Sequence, residues 1–178
     1  MSITYLKRGK PDVERAEDDA KTRQIVETTL ADVAANGDAA VRALSEKFDG
    51  YSPTTFRLTK ADIADLIAQL TPRELADIKF AQEQVRNFAR AQRGSMLDIE
   101  VETLPGVILG HKNIPVQSVG CYVPGGKFPM VASAHMSVAT ASVAGVPRII
   151  ASTPPFQGKP NPGVIAAMHF GGAHEIYV

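Results

Sequence analysis

The amino-acid sequence predicts an α/β protein in which helices come first and a parallel sheet comes last. Apolar residues recur at helical spacing before Gly94, and they alternate or cluster in short runs after it. From Val116 onwards short apolar runs alternate with helical stretches, which implies right-handed crossovers within a parallel sheet. We therefore expect two parts: a helical N-terminal region over 1–97, and a hairpin with an incomplete, Rossmann-like βαβαβ sheet over 98–178.

The composition excludes several classes of protein. With 44% hydrophobic and 21% charged residues in 178, the chain is typical of a folded globular protein. The 19 basic residues are balanced by 19 acidic ones, whereas nucleic-acid-binding surfaces are usually strongly basic. The sequence has no leader-like N-terminus and no apolar run of membrane-spanning length, and Cys121 has no second cysteine to pair with. These features predict a cytoplasmic protein that binds neither nucleic acid nor membrane.

Helix boundaries in the first half are marked by caps and glycines. We expect 12–20 to form a solvated arm or the start of a helix, and a first helix to run from about Lys21 to the Asn36-Gly37 stop. Asp38 is a candidate N-cap for a short second helix that ends at Asp49-Gly50.

Two further helices have stronger start signals. Thr59 with Asp62 three residues later is typical of a capping box. The run 71–74, Thr-Pro-Arg-Glu, combines a cap, a proline at the first helical position and a glutamate at the third, and we expect its helix to end near Gly94. One side of that helix is assigned to the core, namely Leu75, Ile78, Val85, Phe88 and Ala89.

After Gly94 the pattern predicts strands. Two sets of side chains alternate over residues 99–104, Pro105-Gly106 forms a turn, and 107–109 form a second apolar run, which indicates a hairpin. The parallel part is predicted as strand 116–123, helix 131–144, strand 148–152, helix 162–170 and strand 175–178. Because a parallel strand is normally covered on both faces, and no helix follows the last one, we expect this chain to be a fragment of a longer protein.

The loop after the first parallel strand is the leading candidate for a ligand site. In open α/β sheets ligands collect at the carboxyl ends of the strands, and here that end carries Pro124, Gly125 and Gly126. Glycines tolerate positive φ and let backbone amides approach a ligand, while Tyr122 adds a flat ring and a hydroxyl. This combination suits a nucleotide or another anion, and a plain strand-to-helix turn is the alternative. No G-x-G-x-x-G fingerprint is present, so an ordinary pyrophosphate site is not predicted.

The histidines and the cysteine point to no metal centre. Spacing brings none of the histidines into a metal-ligand pattern, and Cys121 lies in an apolar run typical of a buried thiol. His135 lies in an alanine- and serine-rich helix close to the glycine loop, where a ligand has room. A satisfied structural histidine is the alternative there. Turn or surface positions are expected for His169 and His174, and His111 lies in the predicted hairpin region.

The segment Val119–Gly126 resembles the V-G-x-Y-V-P-G-G motif of histidinol dehydrogenases. The likeness extends over most of the chain, through 36–38, 47–50, 143–146, 153–155 and 172–177. The resemblance implies a zinc- and NAD-dependent alcohol dehydrogenase that oxidises a primary alcohol, through the aldehyde, to a carboxylate. It also implies a homodimer.

On that resemblance the only family cofactor contact within this chain maps to Tyr122, with Pro124, Gly125 and Gly126 forming the cofactor-binding loop. The zinc ligands, the catalytic Glu-His pair and the remaining NAD contacts are expected beyond Val178. We therefore expect no catalytic residue and no metal ligand in this chain, which alone should be inactive.

One departure favours a particular branch of the family. Where histidinol dehydrogenases usually have P-S-T-x-L-M, residues 131–136 place Ala132 at the serine and His135 at the leucine. This variant is similar to the sulfopropanediol dehydrogenases, which implies oxidation of 2,3-dihydroxypropane-1-sulfonate to sulfolactate. A sulfonate needs hydrogen-bond donors or a cation, and Lys127 and His135 are the candidates. The alternatives are L-histidinol as substrate, and a stand-alone nucleotide-binding or regulatory module without catalysis.

Overall fold

The computed structural model describes residues 7, 9 and 11–178, and confirms the α/β class. The described residues contain α1 Asp12–Asn36, α2 Asp38–Asp49, α3 Lys60–Ile67, α4 Pro72–Ser95, β1 Ile99–Leu104, β2 Val107–His111, β3 Ser118–Tyr122, α5 Val131–Ala134, a π segment His135–Ala139, α6 Thr140–Val143, β4 Arg148–Ser152, α7 Pro162–Gly171 and β5 Glu175–Tyr177. The chain divides into two compact units, one reaching to Ser52 and the other spanning Pro53–Val178.

The first unit consists of α1 packed against α2. Of the two alternatives for 12–20, the helix start is confirmed, because α1 begins at Asp12 and residues 12–20 are exposed but helical. Acidic residues in the first turn complement the helix dipole, and Asp12 pairs with Arg15 at 3.2 Å. Asp38 is the first residue of α2 rather than its cap, since Gly37, at φ 54°, fills the cap position of both helices. Gly50 ends α2 as predicted, and its backbone is left-handed.

Both predicted capping boxes open helices of the second unit. The Thr71 N–H donates to Glu74 Oε2 at 2.8 Å and the Glu74 N–H donates back to Thr71 Oγ1 at 3.2 Å, with the same exchange between Thr59 and Asp62. The core assignment for α4 is only partly right. Ile78 and Ala89 are buried, whereas Phe88 is 67% exposed.

Two separate sheets follow. Strands β1 and β2 pair antiparallel as the predicted hairpin, and β3, β4 and β5 form a parallel sheet in that order. The outer edge of β5 is covered by the chain before α3, where the Leu58 N–H donates to Ile176 O and the Val178 N–H donates to Phe56 O, both at 2.9 Å. This short antiparallel segment was not predicted, because nothing in the sequence of 56–58 marks a strand.

Helices cover one face of the parallel sheet. Contacts join the π segment to β3, and join α7 to β5, to α5 and to both α3 and α4. Helix α7 is therefore enclosed, and the largest fully buried side chains lie in it, the sheet and the π segment: Ile149, Ile165, Met168, Ile176, Val123, Val138 and Val164. The domain division expected after residue 97 stays a prediction. Helices do give way to strands near that residue, but the compact second unit contains α3 and α4 as well as the sheet.

The helix predicted over 131–144 contains a π segment that the sequence did not predict. There the Ser137 hydroxyl donates to Ser133 O at 2.7 Å, and the Thr140 hydroxyl donates to Ser137 O at 3.1 Å. These side-chain hydroxyls donate to backbone carbonyl groups in and next to the π segment. Such π segments are common near functional sites.

No helix in the described part of the chain is long and apolar enough to cross a bilayer.

Candidate functional site

The glycine loop is a closed turn at the carboxyl end of β3. Pairing of β3 with β4 continues one residue beyond the strand, because the Val123 N–H donates to Ser152 O at 2.8 Å. The loop then closes on itself, since the Met130 N–H donates to Pro124 O at 3.2 Å before α5 begins at Val131. Residues 124–130 thus form a turn that starts directly from the sheet and whose two ends are joined by a hydrogen bond.

The two glycines of this loop differ in burial and in the space around their Cα atoms. Gly125 is buried, and a Cβ atom built on it would lie 2.7 Å from Thr153 Oγ1 and 3.2 Å from the Pro154 carbonyl oxygen. Gly126 is exposed, and the nearest atom to its Cβ position is Pro154 Cγ at 3.8 Å. Neither adopts a positive φ, so close approach rather than left-handed backbone explains Gly125. Gly126 leaves its backbone open to a ligand.

Two side chains extend the loop's exposed surface. Tyr122, at the end of β3, is 65% exposed, and its neighbour Cys121 is buried on the helix-covered side of the sheet. Lys127 is exposed directly after Gly126. A flat ring and an accessible glycine backbone, which suit a nucleotide, and a cation, which suits an anionic group, thus all lie within residues 122–127.

His135 does not join this exposed surface. Its side chain is 3% exposed, and its Nδ1 atom lies 3.3 Å from Nε2 of Gln82. Burial lowers the pKa of His135, so the imidazole is neutral at physiological pH. These surroundings favour the structural alternative, and substrate contact by His135 stays a prediction. Gln82 itself was missed, because a glutamine in a helix carries no sequence signal of burial.

The other histidines and the cysteine have local partners. His111 Nε2 donates to Leu97 O at 3.0 Å beside the hairpin, and His174 Nδ1 accepts from the Ile149 N–H at 2.9 Å. His169 is exposed, and burial raises the pKa of the Cys121 thiol, which makes it unreactive. The described residues contain no group of three His, Cys, Asp or Glu that could hold a metal ion, so a zinc site does not fit them.

A charged cluster on β4 and β5 was also missed. The Glu175 carboxylate accepts from Arg148 at 2.7 Å, from the Tyr177 hydroxyl at 2.9 Å and from Arg57 at 3.3 Å. The hydrogen bond from Arg148, followed by that from Tyr177, lowers the pKa of Glu175. Because Arg57 belongs to the segment that pairs with β5, the cluster ties that segment to the sheet.

Comparison with known proteins gives a consistent result. A family model described as histidinol dehydrogenase matches residues 13–178. The chain is 52% identical over 174 residues to a histidinol dehydrogenase homolog of Shouchella clausii, covering 98% of this chain and 41% of that protein. It is 58% identical over 152 residues to histidinol dehydrogenase homolog 1 of Mesorhizobium japonicum, covering 85% of this chain and 30% of that protein.

Two further comparisons concern substrate and fold. The chain is 40% identical over 177 residues to the sulfopropanediol 3-dehydrogenase of Ruegeria pomeroyi, covering 99% of this chain and 40% of the relative. It matches the crystal structure of histidinol dehydrogenase from Elizabethkingia anophelis with a TM-score of 0.82 at 24% identity, over 97% of this chain and 37% of that one. At that identity the likeness shows the fold alone. The chain spans roughly two fifths of the length of most of these relatives (41% and 40%).

Proposed function

This chain belongs to the histidinol dehydrogenase family, and we propose that it supplies part of the NAD site of a dehydrogenase that acts on a CH–OH group. The observation that carries the proposal is the loop after β3. There Tyr122, which is exposed, ends β3, and Gly126, whose backbone is accessible, follows four residues later, at the end of the sheet where α/β proteins bind nucleotides.

We assign each residue of the loop a separate role in binding. The Tyr122 ring offers a stacking surface and its hydroxyl a hydrogen bond, while the Gly126 amide can approach a phosphate or ribose oxygen. Gly125 lets the loop lie close to the chain that follows β4, and the Pro124 carbonyl closes the loop by accepting from the Met130 N–H. The positive charge of Lys127 is assigned to the anionic group of the substrate rather than to NAD.

The family uses NAD and zinc in general, and NAD would accept the hydride from the alcohol carbon. The described residues include no zinc site, so we derive no step through the metal. We propose that the metal ligands and the proton-abstracting base lie outside this chain, and that this chain alone is inactive. We also propose a cytoplasmic homodimer as the working form.

For the substrate we propose 2,3-dihydroxypropane-1-sulfonate, oxidised to sulfolactate, with Lys127 facing the sulfonate. Support comes from the departure at Ala132 and His135 and from the sulfopropanediol 3-dehydrogenase among the relatives. The relatives of higher identity are named only as homologs, which leaves L-histidinol as the alternative. The protein as its host makes it, offered each alcohol with NAD, distinguishes them by the rate at which NADH absorbance rises.

The NAD site is tested by a matched pair of variants. Tyr122→Ala removes the proposed stacking ring, and Phe128→Ala removes a ring of the same loop that is 75% exposed. Because stacking of a base on an aromatic ring contributes about 1–3 kcal/mol, Tyr122→Ala should weaken NAD binding by about tenfold or more. Phe128→Ala should leave it nearly unchanged. Equal dissociation constants for the two variants would contradict the assignment and would favour a plain turn.

A further inference from the structure

The side-chain amide of Gln82 joins three elements of the second unit. Gln82 lies on α4 and is 5% exposed. Its Nε2 atom lies 3.0 Å from the Ala167 carbonyl oxygen of α7 and 3.3 Å from Nδ1 of His135 in the π segment. One NH₂ group therefore contacts both neighbouring elements.

The chemistry of the two partners fixes the orientation of this amide. A backbone carbonyl only accepts hydrogen bonds, so the group of Gln82 that faces Ala167 must be its NH₂. The same NH₂ faces His135 Nδ1, which must then be an acceptor with no proton of its own. His135 is thus held as the neutral tautomer that carries its proton on Nε2.

Protonation of His135 leaves Gln82 without a satisfactory arrangement. A proton on Nδ1 would point at the amide hydrogens. Rotating the amide would offer Oε1 to the imidazolium, but it would set the same oxygen against the Ala167 carbonyl. In either arrangement two donors or two acceptors face each other in a buried site. The free-energy cost of this exceeds the stabilisation that the original hydrogen bond provided.

No charged group on the surrounding elements offsets this cost. On α4 the guanidinium of Arg86 is bonded to the Phe170 and Gly171 carbonyls at 2.9 and 2.7 Å, Lys79 lies over the Phe170 ring, and Glu83 pairs with Arg90. On α7 the titratable side chain is the exposed His169, and on β3 it is Cys121 besides the exposed Tyr122. The sequences of α5 and α6 contain no ionisable side chain.

We propose that Gln82, His135 and the Ala167 carbonyl form a proton-sensitive clasp, which holds the π segment to α4 and α7 while His135 is neutral and releases it on protonation. Gln82 is the positioning residue, since it selects the tautomer. Burial lowers the pKa of His135 from its ordinary value of 6.5. The unfolded chain therefore takes up the proton first, and stability is present above about pH 6.5 and lost as the pH falls below it.

The test compares wild type with His135→Asn, whose Oδ1 can accept the Gln82 hydrogen bond but does not titrate. The melting temperature of each is measured between pH 7.5 and pH 5.5. Wild type should lose several degrees more than His135→Asn over this range. His169→Asn, at an exposed histidine, is the control and should follow wild type. Parallel curves for wild type and His135→Asn would overturn the proposal.

A second measurement, by NMR, tests the proposed clasp even if His135→Asn folds poorly. The ¹⁵N chemical shifts of the wild-type imidazole should show His135 Nε2 protonated and Nδ1 bare at pH 7.5. In Gln82→Glu a carboxylate replaces the amide that faces Nδ1, so the pKa of His135 should rise. A proton on Nδ1 in wild type, or an unperturbed titration near pH 6.5, would contradict the clasp.

Discussion

Gly125 lies so close to Thr153 that a methyl group on its Cα would come within 2.7 Å of the Thr153 hydroxyl oxygen. The contact joins the loop that follows β3 to the chain that follows β4. The contact lies at the carboxyl edge of the sheet, where β3 ends at Tyr122.

Replacing Gly125 should damage the site, whereas replacing Gly126 should damage it less. Gly125→Ala forces the two loops apart, and we expect a loss of about 1–3 kcal/mol in the free energy of unfolding together with weaker NAD binding. Gly126→Ala, with its nearest contact at 3.8 Å, should be close to wild type in stability. Chemical denaturation of both variants measures the difference.

The Thr153 contact itself can be checked by a double-mutant cycle. Because Thr153→Ala removes the hydroxyl oxygen that crowds position 125, Gly125→Ala should cost less in that background. Recovery should be partial, since the Pro154 carbonyl stays 3.2 Å from the added methyl. A fully additive cycle would show that the hydroxyl is not what excludes a side chain.

The hairpin depends on Gly110 in the same way. A Cβ on Gly110 would collide with the Ile99 carbonyl oxygen, a backbone atom of the paired strand that cannot move away alone. Gly110→Ala should therefore break pairing of β1 with β2 and speed hydrogen exchange there. Gly120→Ala, at a strand position with no atom within 4 Å, is the control. Unchanged exchange in the hairpin of Gly110→Ala would refute this.

The capping box of α4 should contribute measurably to stability. Thr71→Ala removes the acceptor of the Glu74 N–H and a partner of its carboxylate, at a cost of about 1 kcal/mol in the free energy of unfolding. Thr28→Ala, within α1, removes only a bond to the Gln24 carbonyl and should be neutral or slightly stabilising. Equal losses in thermal denaturation would show that the cap contributes nothing specific.

Glu175 should make stability fall in acid. Its pKa is lowered in the folded protein, so its contribution is present above the unfolded value of about 4.5 and is lost as the pH falls through the lower folded value. The difference in unfolding midpoint between wild type and Glu175→Gln should therefore shrink from pH 7 to pH 3. Glu100→Gln, at an exposed strand position, is the control and should show no such trend.

Local signals in the sequence predicted most of the fold. The capping boxes, the helix stop at Gly50 and the strand–helix alternation are fixed by neighbours in sequence, and all appear where expected. Features set by distant contacts were missed. Gln82 is buried because α7 lies against it, Phe88 is exposed although it follows the apolar spacing of α4, and residues 56–58 pair with β5 without any strand pattern.

The same distinction applies to the site. The motif around Tyr122 identified the loop and its glycines, because turns of this kind are encoded locally. The interior position of His135 depends on how α4 and α7 pack, and helical spacing alone does not fix which face meets them. The contact between Gly125 and Thr153 joins residues 28 positions apart, so no local sequence pattern predicts it.

Binding of NAD to the loop after β3 is tested most directly by an NMR titration of the isotope-labelled protein with NAD. We expect the amides of Gly125, Gly126 and Lys127 and the Tyr122 ring to shift together, with one dissociation constant. Shifts confined to other parts of the chain, with these four residues unmoved at saturation, would contradict it.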